Sequence, residues 1–254
     1  MSDIKKLLDI MATLRDPQRG CPWDLEQSFA TIVPHTLEEA YEVADVIERD
    51  ALHELPDELG DLLFQVVFYA QLGSEAGLFT FDDVTAAICE KMIRRHPHVF
   101  AADERGDAAG QLRRWEDIKA AERGAQVASA LDSVPVGLPA LTRAQKIGKK
   151  AGRVGFDWPD QTGVARKVAE ECDEFVAAAA DADPDAMADE LGDILFSVVQ
   201  LGRHSGIDTE QALRAATRKF ERRFRRMEAD NEQPLAEMSD SALEAAWQRA
   251  KQAD

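Results

Sequence analysis

Thiols are scarce in this chain. Cys21, Cys89 and Cys172 are its three cysteines, too few and too scattered for a disulfide framework or a zinc site. Positive charge is also short: 30 Lys and Arg stand against 48 Asp and Glu, a formal net charge of −18. That balance opposes counterion-release binding to nucleic acid and attraction to anionic membranes. A polyanionic ligand would have to arrive with metal or meet a local basic cluster. No apolar run reaches membrane-spanning length, and Met1-Ser2-Asp3-Ile4-Lys5-Lys6 lacks the apolar core of a signal peptide. The expectation is a protein of the reducing cytoplasm, with neither nucleic acid nor membrane as partner. His35, His53, His96, His98 and His204 show no ligand spacing, and no Glu-x-x-His occurs, which excludes di-iron chemistry of the ferritin type. No stretch alternates as a half-buried strand does, so the chain reads all-α.

What is present is a duplicated pattern of acids. Glu38-Glu39-Ala40-Tyr41-Glu42 is followed by Asp57-Glu58-Leu59-Gly60-Asp61 and the apolar run Leu62 to Ala70. Glu170-Glu171-Cys172-Asp173-Glu174 is followed in the same way by Asp189-Glu190-Leu191-Gly192-Asp193 and Ile194 to Val199, every position displaced by 132 residues. Residues three apart share a helical face, so each Glu-x-x-Glu and Glu-x-x-Asp aims two carboxylates the same way. Four acids converging at a core edge repel one another and resist desolvation. A hard cation resolves that conflict, Mg²⁺ first and Mn²⁺ as a substitute, because the ligands on offer are oxygens.

The repeat also sets the domain organisation. At 254 residues, 45% of them hydrophobic, the chain could form one large domain or two of ordinary size, and the 132-residue offset decides for two. The expected division is a first domain over 1–124, a linker over 125–138 and a second domain over 139–254, each a helical bundle of four or five helices. Expected helices cover 3–14, 36–49, Pro56 to about Gly73, a segment capped by Thr80 and ended by Pro97, and 109–122. The second half repeats them over 140–151 and 163–180, then from Asp183-Pro184, from Asp208 and from Ser239 or Ser241. Residues 15–24 read as loop. The helices over 62–72 and 194–202 are apolar nearly all round, which fits a central position or a subunit interface. Trp115-x-x-x-Lys119 and Trp247-x-x-x-Lys251 again differ by 132, and Lys91-x-x-Arg94-Arg95 corresponds to Lys219-x-x-Arg222-Arg223 at an offset of 128.

A single Glu-x-x-Glu is normally a solvated face; two pairs, duplicated at constant spacing beside apolar helices, argue for a site. Gly60 and Gly192 fit close helix approach, room for a ligand, or a tolerated packing glycine. The tryptophans read as core anchors before stacking platforms. Asp181-Ala182-Asp183-Pro184-Asp185 begins like a calcium loop but has Ala186 and Gly192 where Gly and Glu are required.

Together these residues resemble the MazG family of nucleoside triphosphate pyrophosphohydrolases, in its tandem two-domain bacterial form. The resemblance runs through Leu14-Arg15-Asp16-Pro17, Gly20-Cys21-Pro22-Trp23-Asp24, Asp57 to Val67 and Lys219-Phe220-Glu221-Arg222-Arg223-Phe224. It implies an all-α fold and hydrolysis of a nucleoside triphosphate between the α and β phosphates. It places the Mg²⁺ ligands on Glu39, Glu42, Glu58 and Asp61, and on Glu171, Glu174, Glu190 and Asp193. It also implies a homodimer, for which the two apolar helices offer surfaces. Glu38 and Glu170 are placed to orient or deprotonate the attacking water. Lys167, Lys219, Arg222 and Arg223, with Trp247 and Lys251, make the candidate substrate-binding set. His35 stands where the second half has Lys167, which points to the C-terminal half as the principal site. A non-catalytic helical protein, using the acids to hold metal or a basic partner, is the alternative.

Overall fold

The computed structural model describes residues 3–101, 107, 110, 111, 114, 115, 118 and 129–253. Among them every regular element is helical. The chain divides into two compact units, Met1–Arg123 and Gly124–Asp254. The N-terminal unit contains α1 (Asp3–Leu14), α2 (Pro22–Glu26), α3 (Phe29–Glu48), α4 (Leu55–Glu75), α5 (Phe81–Arg95) and α6 (Pro97–Phe100). The C-terminal unit contains α7 (Ala140–Arg153), α8 (Gln161–Ala180), α9 (Pro184–His204), α10 (Thr209–Asp230), a short 3₁₀ turn (Leu235–Glu237) and α11 (Asp240–Gln252). Residues 110, 111, 114, 115 and 118 are helical, whereas Lys119 and residues 119–128 lie outside the described residues.

Local chemistry explains most helix ends. The Thr80 hydroxyl caps Asp83 N–H while the Asp83 carboxylate accepts from Thr80 N–H, so α5 starts at Phe81. Asp183, Asp208 and Ser239 cap α9, α10 and α11 in the same sense. Asp183 therefore serves the backbone of Asp185 and Ala186, and the Asp181–Asp185 stretch is a helix entry. Two boundaries differ from expectation. The helix expected from residue 36 begins at Phe29, because Ser28 and Thr31 form a capping box and Ile32 is buried, which holds the turns ahead of Pro34. Within the expected 15–24 loop, Pro22 at the first helical position starts the one-turn α2.

Each unit is built around a helical hairpin, α3 against α4 and α8 against α9. In the N-terminal hairpin, Thr36 hydrogen-bonds the Tyr69 hydroxyl at 3.0 Å, and α1 adds Met11 to a core of Ile32, Val67, Phe68 and Leu72. Truncating Phe68 there would cost about 3–5 kcal/mol. Arg15 ties α1 to the end of α4 through Glu75 at 2.6 Å, donates to the Asp24 carbonyl and lies over the Phe68 ring. In the C-terminal unit Val164 and Val199 fill the hairpin, while Met227, Ala246 and Ala250 join α10 to α11. The buried Gln200 crosses to α7 and donates to the Ala144 carbonyl at 3.0 Å, directly over Gly148.

The apolar helices are central on one face only. Val67, Phe68, Ala70 and Leu72 of α4 are buried, but Leu59, Leu63 and Val66 are exposed. On α9 the exposed residues include Leu191, Leu195 and Val198, each 132 positions after its N-terminal counterpart. An i, i+4, i+7 spacing makes each trio one continuous stripe. No helix among the described residues is long and apolar enough to cross a membrane.

Candidate active site

The hairpins bring the acids together, because an antiparallel pair sets a mid-helix residue of one arm opposite the early turns of the other. In the N-terminal unit, Glu39 of α3 meets Glu58 and Asp61 of α4, with one oxygen from each inside a 4.8 Å cluster. In the C-terminal unit, Glu171 and Glu174 of α8 meet Glu190 of α9 within the same limit. Glu42 and Asp193 fall just outside these triads but act on them electrically. Burial, then a hydrogen bond shared with Glu42 and the charge of Asp61, pushes the Glu39 carboxyl up. Burial, Glu42 and Asp61 raise Glu58. Glu174 is raised by the hydrogen bond it shares with Glu171, and Glu190 by burial followed by the charge of Glu171. Like charges and partial desolvation each disfavour ionisation, so both clusters are short of positive charge.

The halves relieve that shortage differently. Lys167 Nζ lies 2.6 Å from Glu170 and 2.7 Å from Glu171, so one ammonium bridges two carboxylates. It holds Glu171 below the usual carboxylate range, although that residue is only 3% exposed. Lys167 is in turn driven upward, first by Glu170. At the matching N-terminal position His35 stands 3.7 Å from Glu38 and edge-on to Trp23. Glu38 and Glu170 have exposed side chains at the margins of their clusters.

The remaining candidates sit on α10 and α11. Lys219 and Arg222 are exposed on α10, which packs against α7 and α9. The Arg223 guanidinium lies over the Trp247 ring at 5.9 Å, and Phe220 approaches the same ring at 5.3 Å. Trp247 packs against the Met227–Ala246–Ala250 core, so it is an anchor with an aromatic and cationic neighbourhood. Lys251 is exposed one turn beyond it. Gly60 and Gly192 have nothing within 4 Å of where a β-carbon would project, which removes close helix approach as their reason among the described residues.

Two features escaped the motif reading. Gln65 is buried one turn past Asp61, and its Nε2 donates to Glu39 at 3.3 Å. Its position in sequence, a polar residue inside an apolar run beside the acids, was the available signal. Asp157 binds Arg203 at 2.5 Å and His204 at 2.9 Å, tying the α7–α8 loop to the end of α9. No spacing rule links residues so far apart in sequence.

Both clusters offer carboxylate oxygens alone, with no imidazole or thiolate within the triads, and that donor set fits a hard cation. The family model of the MazG nucleotide pyrophosphohydrolase domain matches residues 27–100 and again 160–227, so each match contains one hairpin with its acids. A nucleoside triphosphate pyrophosphohydrolase of Escherichia coli strain K12 is 51% identical over 99% of this chain and 98% of its own length. The nucleoside triphosphate pyrophosphohydrolase/pyrophosphatase MazG of Thermotoga maritima is 42% identical over 98% of this chain and 96% of its own. With two domain matches on the two acid-bearing hairpins and near-full-length relatives, the chain belongs to the MazG family of nucleotide pyrophosphohydrolases.

Proposed function

We propose that this chain is a Mg²⁺-dependent nucleoside triphosphate pyrophosphohydrolase that cleaves NTPs and dNTPs between the α and β phosphates, with Mn²⁺ as a substitute ion. In that reaction the oxygen of water bonds to the α phosphorus, the bridging P–O bond breaks, and pyrophosphate leaves a nucleoside monophosphate. The observation that carries the reading is the pair of oxygen-only clusters at corresponding places in two hairpins, in a chain 51% identical to an enzyme bearing that name.

Glu171, Glu174, Glu190 and Asp193 would hold the ion in the C-terminal unit, and Glu39, Glu42, Glu58 and Asp61 in the N-terminal unit. When bound, the ion supplies charge neutralisation at phosphate oxygens and a lowered pKa for water. The protein supplies the rest. Glu170, exposed at the cluster margin, accepts the proton of the attacking water, and Glu38 has that role in the N-terminal unit. Lys167 is released toward phosphate once its carboxylate partners have another cation. Lys219, Arg222 and Arg223 neutralise the triphosphate, and Trp247 and Lys251 border the nucleotide. With Lys167 absent from its counterpart, the C-terminal unit is the principal site.

The units are read as tandem domains over 1–124 and 139–254 joined by a linker over 125–138. The exposed stripes Leu59–Leu63–Val66 and Leu191–Leu195–Val198 support a homodimer in which a second copy covers them. A house-cleaning or stress-related role in the cytoplasm is part of this proposal. Incubation with a panel of NTPs and Mg²⁺, read by anion-exchange separation, tests the activity. Monophosphate and pyrophosphate are expected; diphosphate and orthophosphate would reject it, and no turnover at all would favour the non-catalytic alternative.

A further inference from the structure

Gln65 is out of place for a core residue. It lies on α4 in a run that otherwise reads Leu62, Leu63, Phe64, Val66, Val67, Phe68, and it is 6% exposed. One turn separates it from Asp61, so both point from the same face of the helix. Its Nε2 reaches the Glu39 carboxylate at 3.3 Å, which fixes the carboxamide at the edge of the acid cluster. Its Oε1 is buried and has no hydrogen-bond partner among the described residues. A methionine would fill the same space without stranding an oxygen, so packing alone does not account for an amide. Ser197 holds the corresponding position, 132 residues later and one turn past Asp193; it too is buried, but its side chain is shorter.

We propose that Gln65 is a positioning residue of the N-terminal metal centre: its Nε2–H holds Glu39, and its Oε1 accepts a hydrogen bond from water on the bound ion. This rests on the reading of the acid clusters as metal centres. Mg²⁺ and Mn²⁺ sites of this type retain several waters, and those waters need acceptors on the protein side. A neutral acceptor satisfies them without adding a fifth like charge to Glu39, Glu42, Glu58 and Asp61. The two centres thus differ in construction, carboxamide-supported in the N-terminal unit and lysine-bridged in the C-terminal unit. Outer-shell partners of this kind are worth roughly 10–100-fold in metal affinity.

The test is Mn²⁺ titration of the full chain, read by the EPR signal of free Mn²⁺. The C-terminal cluster is first silenced by Glu190→Gln with Asp193→Asn. In that background Gln65→Met, which loses both the donor and the acceptor, should weaken Mn²⁺ binding by about 10–100-fold, while Gln65→Glu, which keeps an acceptor oxygen but loses the donor to Glu39, should lose clearly less. Equal binding by Gln65→Met and Gln65 overturns the inference and leaves the metal reading intact. So does an equal loss in both variants with a matching fall in melting temperature, since that describes packing. No Mn²⁺ bound by the background protein overturns the metal reading of the N-terminal cluster, and the inference with it.

Discussion

Gly60→Ala and Gly192→Ala make an informative pair of substitutions. Both glycines lie within long helices, α4 and α9, and a β-carbon at either meets nothing within 4 Å. Glycine in a helix interior is about 0.8–1 kcal/mol less favourable than alanine, so each substitution should stabilise its own unit by about that amount. For units of this size each kcal/mol moves the melting temperature by roughly 2–8 °C, so a rise of a few degrees is expected in the transition of each unit in metal-free buffer. Calorimetry on the full chain reads it directly. The glycines sit between Glu58 and Asp61 and between Glu190 and Asp193, so a gain in stability should be accompanied by a loss of nucleotide affinity if that space admits substrate. A fall in melting temperature would refute the reasoning, because it would mean that something covers these positions in solution.

Other outcomes follow from the same geometry. Asp157→Asn should lose about 2 kcal/mol of stability, since charged hydrogen bonds to Arg203 and His204 are removed from a side chain that is mostly covered. Arg203 holds the Asp157 carboxyl far below its ordinary range, so this contribution is complete above about pH 5 and is lost progressively as pH falls from there toward the folded value. The difference in thermal stability between wild type and variant should therefore narrow as pH falls below about 5. Gly148→Ala drives a β-carbon into the Gln200 carboxamide and should cost about 2–3 kcal/mol by urea titration. In EDTA the raised carboxyls Glu39, Glu58, Glu174 and Glu190 favour the folded state at low pH and lose that contribution as pH rises through their folded values. Saturating Mg²⁺ should reverse this, raising the melting temperature most at pH 7 and above; equal shifts at every pH would show that the acids do not face one another.

The helices were legible because their signals are local. Thr80 with Asp83, Pro184 after Asp183, and Asp208 mark entries that depend on neighbouring residues alone. The acid pairs were legible for the same reason, reinforced by duplication. What the sequence could not supply was long-range pairing. Lys167 is a candidate phosphate ligand by sequence, and its bridge to Glu170 and Glu171, invisible to that reasoning, balances the cluster. The first helix of the N-terminal hairpin, expected over 36–49, starts at Phe29, because the Ser28 cap and the buried Ile32 hold the turns ahead of Pro34. The Asp157–Arg203 contact and the burial of Gln65 depend on how helices cross, which no periodicity encodes.

The central claim is that these acid clusters form the reaction centre, with the C-terminal one dominant. Steady-state pyrophosphate release from an NTP with Mg²⁺ by four variants, each first shown folded by circular dichroism, tests it most directly. Glu174→Ala and Asp193→Ala should lower kcat by about 10²-fold or more, as loss of a group that stabilises developing charge does, while Glu42→Ala and Asp61→Ala should retain much of the wild-type rate. Wild-type rates in Glu174→Ala and Asp193→Ala, with the N-terminal variants inactive, would contradict the assignment of the principal site, and wild-type rates in all four would contradict the account as a whole.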